Sequence, residues 1–451
     1  MHTKVRLFTV VAIAFSVAPQ ISWAQRSGRN IAGEHWVASW ATAQDLMPVF
    51  FGRQGGRPPG PPPAQVQNAA ADKAVDEQGA ARPPQAPRRP PASNLPATFA
   101  DQTVRMIVRA SLGGRRVRIE LSNMLGARPL DIGAAHIARY KGDGAIVEGT
   151  DRVLTFSGSP SYTIPPGVLA VSDPVDLEVA PLSDLAVSLY LPHDTGAPTS
   201  HLIGLHTAYI SKGDVTGSVN MPEPATMFAY VWLSSVDVAA APEAFTIVAL
   251  GDSITDGFAT TRDADRAWPT LLAKRLSANK ATRHVAVVNQ GVSGNQVLRD
   301  GAGVSALARF DRDVLSRPGV KWVILLEGIN DINIRGRVDG PNALTADELI
   351  QGYRQIITRC HAYGIKVMGA TIMPEEGVPT ASERGEGIRQ AVNKWIRAAG
   401  NFDAVVDFDA VVRDPEHPAR IKARFDPGDH VHPNDEGNQA MADAFDLTVF
   451  K

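Results

Sequence analysis

Cysteine is nearly absent from this chain of 451 residues, because Cys360 is its only one. A single cysteine excludes an internal disulfide, a zinc site built from cysteines and an iron–sulfur cluster. An excess of charge of one sign is also lacking, since 45 Lys and Arg stand against 47 Asp and Glu, for a formal net charge of -2. This balance argues against electrostatic binding to nucleic acid, and we expect no nucleic-acid partner.

Long apolar runs are missing too. Beyond the amino terminus, no run reaches the roughly 18 residues of a membrane-spanning helix, so we expect no stable membrane insertion. At the amino terminus, Lys4 and Arg6 precede a short apolar segment at 7–15, and the small residues Ser22 and Ala24, which flank Trp23, resemble a signal-peptidase site. Residues 1–24 are therefore predicted to be a signal peptide, and the protein is expected to be exported, to the periplasm or the medium.

Three familiar sequence motifs do not occur. The chain lacks the Gly-x-Ser-x-Gly motif of ordinary α/β-hydrolases, a Walker-type phosphate loop and a Gly-x-Gly-x-x-Gly dinucleotide loop. No organic cofactor is therefore expected.

Proline is present but unevenly placed. Of 33 prolines, eleven lie between Pro58 and Pro96. The surrounding segment, 52–97, has few large apolar side chains and cannot bury enough surface to offset its chain entropy. We predict a disordered insert at 52–97.

Short alternating segments flank this insert and continue to residue 242. Their two-residue period predicts strands, and the pair Gly113-Gly114 predicts a hairpin between two of them. Residues 25–242 are therefore predicted to form an all-β sandwich domain. The predicted strands are 35–41, 102–109, 116–121, 132–140, 152–156, 168–172, 184–191 and 227–236.

The pattern changes after residue 242. A continuous apolar run at 245–250 is typical of a buried parallel strand, and strand-like and helix-like segments then alternate. Residues 243–451 are predicted to form a doubly wound α/β domain with a five-stranded parallel sheet. The predicted strands are 245–250, 284–289, 321–326, 365–370 and 404–408, and the predicted helices are 266–277, 304–315, 345–363, 384–399 and 434–446.

Polar loops follow three of these strands, at the edge where open α/β sheets place their sites. Ser253 follows the first strand, and a serine hydroxyl becomes a nucleophile only when a base takes its proton. His432 is the candidate base, and Asp429, three residues earlier, is the candidate partner of its other ring nitrogen. Taken alone, Ser253 could equally be a helix N-cap.

A tetrahedral oxyanion needs preorganised donors. The main-chain N–H groups of Ser253 and Gly294 and the side chain of Asn330 are the candidates. Taken alone, Asn330-Asp331 could be only a turn. His430 and His432 also form a His-x-His pair, but no second cluster completes a ligand set, so we expect no metal.

Four segments together resemble the blocks of the SGNH, or GDSL-type, hydrolase superfamily. They are Gly251-Asp252-Ser253, Gly294, Gly328-Ile329-Asn330-Asp331 and Asp429-x-x-His432. The resemblance covers about 243–451. It implies a flavodoxin-like three-layer fold, Ser253 as nucleophile and Asn330 as oxyanion donor.

The upstream part is similar to an exported bacterial subgroup of that superfamily. The similar segments are Trp36 to Ala41 and Arg109 to Gly114. Members with this two-part build are described as arylesterases or carbohydrate-linked acylhydrolases.

These observations predict an exported serine esterase that uses no cofactor and cleaves short-chain acyl or aryl esters, with acetyl esters of polysaccharides as the favoured substrates. A lipase or lysophospholipase is an alternative, although no broad apolar lid segment separates the motifs. A second alternative is a sandwich that binds polysaccharide through aromatic side chains such as Tyr190, Tyr230 and Trp232. A third is a glycosidase that uses the pairs Asp407/Asp409 or Asp426/Asp429. The sequence carries no indication of oligomeric state.

Overall fold

The computed structural model describes residues 33–45 and 93–451, and His35–Lys451 forms one compact unit. The predicted signal peptide at 1–24 lies outside the described residues. Among those that are described, no helix combines the length and the apolar character needed to cross a bilayer.

The predicted insert at 52–97 also lies outside the described residues, except for its last five. The carbonyl of Ser93 accepts a hydrogen bond from the Phe228 amide at 2.7 Å. Leu95 packs against buried apolar side chains of the β-rich region. The structured chain therefore already includes the end of the segment that was predicted to be disordered.

Strands build the described part of the amino-terminal region, so the predicted β-rich region is confirmed. Turn residues separate short strands, as the sequence pattern indicated. They are β1 (His35–Ala41), β2 (Gln102–Ala110), β3 (Gly114–Ser122), β4 (Leu130–Ile132), β5 (Ala134–Gly142), β6 (Ala145–Ile146), β7 (Arg152–Leu154), β8 (Tyr162–Ile164), β9 (Leu169–Val171), β10 (Val175–Val179), β11 (Ser183–Leu191), β12 (Ser200–His201), β13 (Ala208–Lys212), β14 (Ala225–Met227), β15 (Tyr230–Val231) and β16 (Leu233–Ala240).

Two larger antiparallel sheets share one apolar core. The first has the order β1-β16-β3-β10, with β9 beside β3, and the second has the order β14-β13-β2-β11-β5-β6, with β7 beside β5. Ile119 and Val236 from the first sheet and Met106 and Val187 from the second belong to the same buried cluster. Each sheet therefore buries one face against the other's side chains.

The hairpin predicted around Gly113-Gly114 is wrong. β2 pairs with β11 and β13, whereas β3 pairs with β9, β10 and β16 in the other sheet. A Cβ on Gly113 would lie 2.4 Å from the Val179 carbonyl oxygen, and one on Gly114 would lie 2.6 Å from that of Ala239. The two glycines therefore let the chain pass close to β10 and β16 as it enters the first sheet, and they do not form a two-residue turn.

The single strand predicted at 227–236 is also wrong, because the chain breaks there into β14, β15 and β16. Trp232 lies at the last break with a positive φ of 56°. Its amide donates to the Thr199 carbonyl at 2.9 Å and its carbonyl accepts from Ser122 at 2.6 Å. The chain thus changes its pairing partners at Trp232. An alternating pattern of apolar and polar side chains does not indicate where such a change occurs.

The two upstream segments that resemble the exported subgroup meet in space. Ser39 in β1 exchanges hydrogen bonds with Leu112, at 2.7 and 3.0 Å, and accepts from the Ser111 hydroxyl at 2.6 Å. The Ser111 hydroxyl in turn accepts from the Val287 amide at 3.1 Å. The segments therefore join the β-rich region to the strand that contains Val287.

The region that follows alternates strands and helices, so the predicted α/β fold is confirmed. All of its described strand pairs are parallel, in the order β18-β17-β19-β20-β21, which is an order of doubly wound sheets. The strands are β17 (Phe245–Gly251), β18 (Val285–Gly291), β19 (Val320–Leu326), β20 (Lys366–Ala370) and β21 (Ala404–Val406). The helices are α1 (Ser253–Asp256), α2 (Trp268–Ala278), α3 (Ala306–Phe310), α4 (Ile329–Asp331), α5 (Ala346–Ala362), α6 (Glu383–Arg397), α7 (Phe408–Val412) and α8 (Asp435–Asp443).

Local sequence explains these elements. Every residue of β17 is buried, as the continuous apolar run predicted. Side-chain caps start the two longest helices, because Thr345 accepts from the Glu348 amide and Ser382 from the Gly385 amide. Cys360 is buried in α5.

Three predicted boundaries shift for local reasons. The helix predicted at 304–315 begins at Ala306 and continues as a π-helical turn at Asp311–Leu315. The strand predicted at 404–408 ends at Val406, because Asp407 caps α7. The helix predicted at 434–446 is shorter, because Asn434 is its N-cap and α8 ends at Asp443.

Candidate active site

The strand ends bring the candidate loops together. Gly251, the last residue of β17, pairs with Gly291 of β18 on one side and with Leu326 of β19 on the other. The loops that carry Ser253, Gly294 and Asn330 therefore leave the sheet at one edge.

Ser253 is the first residue of α1 and its side chain is largely buried. The N-cap is Asp252, whose carboxylate accepts from the Ile254 amide at 3.0 Å. The helix ends after one turn at Gly257, with φ of 100°. The alternative interpretation of Ser253 as the N-cap is therefore wrong, and its hydroxyl is free for another partner.

That partner is His432. Its Nε2 lies 2.8 Å from the Ser253 Oγ, and its Nδ1 lies 2.9 Å from Asp429 Oδ2. Asp429 Oδ1 accepts from the Val431 and His432 amides at 3.1 and 3.0 Å. The structure thus brings together the three residues selected from the sequence.

The surroundings favour an ionised Asp429. Burial opposes ionisation, but the hydrogen bond and charge of His432 outweigh it and lower the pKa of Asp429. The ring of Phe258 lies 4.3 Å from the His432 ring, centroid to centroid. The His432 ring is therefore held by the Asp429 carboxylate and by the ring of Phe258.

The two remaining candidates, Gly294 and Asn330, are both half-buried. Asn330 Nδ2 donates to the Asn295 carbonyl at 2.9 Å, one residue beyond Gly294. Gly294 has φ of 78°, a conformation that glycine adopts without strain. Among the contacts of the described residues, this bond uses one of the two N–H groups of the Asn330 amide, so the other can donate to a ligand.

Arg309 lies fully buried beneath these loops. Its guanidinium donates to the Gly251 carbonyl at 3.1 Å, to the Gln290 carbonyl at 2.8 Å and to Asn295 Oδ1 at 2.9 Å. It also pairs with Asp313 at 3.1 Å. One cation thus ties the ends of β17 and β18 to the loop that follows Gly294.

Three buried carboxyl groups lie in the segments that follow β17 and β19. Burial raises the pKa of Asp252 to about 7 and that of Asp331 to about 6. Burial, together with the charge of Asp252, also raises the pKa of Glu327 well above its ordinary value. Asp331 accepts from the Val297 and Leu298 amides at 2.8 and 3.2 Å, so it holds the same loop as Arg309.

A contact from the β-rich region was not predicted from the sequence. His201 Nε2 lies 3.0 Å from Asp256 Oδ1, and Asp256 Oδ2 accepts from the amide and hydroxyl of Ser293. Nothing around His201 in the sequence links it to the motifs. The polar Glu327 at the end of an apolar strand was a signal that could have indicated the buried charges.

Several alternatives lose their basis. Tyr230 and Trp232 are only 5% and 2% exposed, so they cannot stack on sugars. Asp407 and Asp409 both bind Arg397, as structural ion pairs. Of the sequence candidates, Tyr190 remains accessible, and its hydroxyl donates to Asp101 at 3.0 Å.

The pair Asp426/Asp429 and the His-x-His motif have another explanation. His430 Nδ1 binds Asp426 at 2.6 Å, whereas His432 binds Asp429. The two histidines and two aspartates therefore form two separate pairs, not one shared ligand set or one acid–base pair.

A group with metal-ligand chemistry lies elsewhere, at Asp184, His206 and Asp265, whose ligand atoms are within 4.8 Å of one another. Arg109 already binds Asp184 at 2.8 Å and Asp265 at 2.8 Å. Because the guanidinium compensates both carboxylates, the group is an ion-pair cluster between the two regions.

Comparison with known proteins finds one matching family model and several similar solved structures. Residues 249–440 match the GDSL-like lipase/acylhydrolase family. No curated protein matches the chain. Similar solved structures include an aryl esterase of M. smegmatis, at 17% identity over 45% of this chain and 96% of that one, with a TM-score of 0.35.

Two further structures are similar over comparable shares of the chain. A variant of an acetyl-xylooligosaccharide esterase from Geobacillus stearmophilus is 24% identical over 45% of this chain and 93% of that one, with a TM-score of 0.35. A GDSL-like lipase from Bacteroides thetaiotaomicron is 20% identical over 44% and 84%, with a TM-score of 0.33. The family match carries the assignment: residues 249–440 are a GDSL-like lipase/acylhydrolase domain of the SGNH hydrolase superfamily, and the protein is a hydrolase of ester bonds.

Proposed function

We propose that the protein is an exported serine esterase in which Ser253, His432 and Asp429 act as a catalytic triad. The observation that carries this proposal is the pair of contacts on the His432 ring, 2.8 Å to Ser253 Oγ and 2.9 Å to Asp429 Oδ2. These distances are those of a nucleophile bound to its base and a base bound to its orienting carboxylate.

The proposed reaction has two halves. Ser253 Oγ attacks the ester carbonyl carbon while His432 Nε2 takes its proton. The tetrahedral intermediate collapses, the alcohol leaves with the proton from His432, and the acyl group remains on Ser253. Water then attacks with His432 again as base, and the acid and free Ser253 are released.

The oxyanion is proposed to bind three donors, the main-chain N–H groups of Ser253 and Gly294 and the Asn330 Nδ2. Ser253 is the first residue of α1, and the first N–H groups of a helix have no partner within it. The buried network of Arg309 and Asp331 holds the loop that carries Gly294. Donors fixed in this way need no reorganisation when charge develops, which is the source of their catalytic effect.

For the substrate, we propose short-chain acyl or aryl esters, with acetyl esters of polysaccharides as the natural class. Support comes from the sequence, in which no broad apolar lid segment separates the motifs. The predicted signal peptide at 1–24 supports export, to the periplasm or the medium, where such polymers are met. The two β-sheets that share one core are proposed to form a β-sandwich domain ahead of a flavodoxin-like three-layer domain.

Ser253→Ala tests the triad, with p-nitrophenyl acetate as substrate. We expect turnover to fall by several orders of magnitude while the melting temperature stays near that of the wild type, because the hydroxyl contributes one hydrogen bond to the fold. A variant that keeps wild-type turnover would overturn the proposal.

A panel of p-nitrophenyl esters from acetate to palmitate tests the proposed substrate class, and highest activity on the palmitate ester would contradict it.

A further inference from the structure

His201 links the β-rich region to the loop proposed to bind the oxyanion. It lies in β12, pairs across to Tyr230 and is 3% exposed. Its Nε2 contacts Asp256 Oδ1 at 3.0 Å, and Asp256 is the last residue of the helix that begins at Ser253. A side chain from the amino-terminal region therefore reaches the nucleophile's own helical turn.

Asp256 in turn contacts Ser293, the residue before Gly294. Its second carboxylate oxygen accepts from the Ser293 amide at 3.1 Å and from the Ser293 hydroxyl at 2.8 Å. Ser293 directly precedes Gly294. A Cβ on Gly291 would lie 2.3 Å from the Asp256 nitrogen, so the helical turn also packs directly on the end of β18. The position of Asp256 thus fixes the main chain next to Gly294.

Asp45 strengthens the same link from the β-rich region. Its carboxylate accepts from the Leu202 amide at 2.7 Å and lies 3.8 Å from His201 Nδ1. Its backbone forms an isolated β-bridge with Gly303, in the loop that follows Gly294. The β-rich region therefore holds this loop at two points, through the His201 side chain and through the Asp45 backbone.

The charges make this link stronger than a neutral hydrogen bond. Burial opposes protonation of His201, but the carboxylates of Asp256 and Asp45 outweigh it and raise the pKa of His201 to about 9. At neutral pH the imidazolium lies between two buried carboxylates. Hydrogen bonds between charged groups are shorter and stronger than neutral ones, so they define geometry more narrowly.

We propose that His201 is a positioning residue for ester hydrolysis: through Asp256 it holds Ser293, and with it the N–H of Gly294, where the oxyanion forms. This inference rests on the proposed function of Ser253 and Gly294. It gives the β-rich region a part in catalysis itself, in addition to any part in binding substrate.

His201→Leu removes the link, and His206→Leu is its matched control. His206 is also a buried histidine of the β-rich region, and its Nε2 binds Asp265 of the α/β region at 3.0 Å. Neither His206 nor Asp265 has a hydrogen bond to Ser293 among the described contacts. Both substitutions remove a histidine's 3.0 Å hydrogen bond to an aspartate of the α/β region, but only the first releases the loop.

The readout is kcat and KM for p-nitrophenyl acetate, measured on the full chain. Misplacement by about 1 Å can cost 10²-fold in rate, and complete loss of an oxyanion donor about 10²–10³-fold. We therefore expect His201→Leu to lower kcat about 10- to 100-fold with KM within about twofold, because the substrate's ground state does not need the oxyanion donors. His206→Leu should keep kcat within about twofold, and His201→Gln, whose amide can still donate to Asp256, should recover part of the loss.

Ser293→Ala provides the same test from the other end, because it removes the 2.8 Å hydroxyl contact without touching the β-rich region. We expect a several-fold fall in kcat at unchanged KM.

A folded His201→Leu variant with kcat within twofold of the wild type would overturn the inference. An equal loss of kcat in His206→Leu would overturn it too. If His201→Leu does not fold, a wild-type kcat in Ser293→Ala would overturn it instead. Ser253→Ala, measured in parallel, separates the two proposals, because its activity decides the proposed function alone.

Discussion

Replacing Arg309 by methionine should destabilise the protein more than any surface substitution. The change keeps a long, unbranched side chain but removes the guanidinium. The carbonyls of Gly251 and Gln290 and the amide oxygen of Asn295 then lose their charged donor in a fully buried place. Glu327, whose carboxylate lies 4.0 Å away, loses the nearest positive charge.

The magnitude follows from burial. Removing one partner of a buried ion pair costs about 3–5 kcal/mol, because the groups left behind are neither hydrated nor compensated. Part of the Asp313 charge stays neutralised, since Arg312 binds it at 2.6 Å. We therefore expect Arg309→Met to lower the free energy of unfolding by about 3–5 kcal/mol.

Urea unfolding at pH 7, followed by tryptophan fluorescence, measures this loss, because Trp268 and Trp322 are buried in the same region. Arg420→Met is the control. Arg420 pairs with Glu376, but their side chains are 54% and 48% exposed, and such surface pairs contribute about 0–1 kcal/mol. If Arg309→Met were within about 1 kcal/mol of this control, the structural role given to Arg309 would be wrong.

Three further predictions concern the same part of the molecule. Asp429→Asn should lower kcat about 10³–10⁴-fold at neutral pH with little change in KM, because His432 loses its orienting carboxylate; a loss below tenfold would contradict this. Burial gives Glu327 a raised pKa, so the folded chain keeps a proton that the unfolded chain loses, and stability should fall as pH rises above about 4.5. Urea unfolding at pH 5 and 8 should show a smaller fall in Glu327→Gln, and equal falls would refute the assignment. Gly291→Ala places a methyl group 2.3 Å from a backbone nitrogen and should cost about 1–3 kcal/mol in urea unfolding. Gly387→Ala, in a helix with open space around it, should cost nothing.

The sequence predicted the α/β region well because its signals are local. The apolar run that became β17 is buried at every residue, and the caps at Thr345 and Ser382 lie where polar residues precede apolar periodicity. Four short motifs also identified Ser253 and His432 across 179 residues, since catalytic chemistry restricts residue type and spacing.

The β-rich region was predicted less accurately because its pairing is not local. β2 and β3 are adjacent in the chain and each alternates as a hairpin strand would, yet they lie in different sheets. An alternating pattern records which face of a strand is buried, but not which strand is its neighbour. The contact of His201 with Asp256 was not predicted from the sequence for the same reason, because only the fold brings these residues together.

The central claim is that Ser253 is the nucleophile that His432 activates. Incubation with a fluorophosphonate, followed by mass spectrometry of the digested protein, identifies the residue that forms a covalent bond. We expect one equivalent of adduct per chain, on the peptide that contains Ser253, with loss of esterase activity in proportion to labelling and no adduct in Ser253→Ala. Labelling of another residue in step with inactivation, or full activity of a chain labelled at Ser253, would contradict the account.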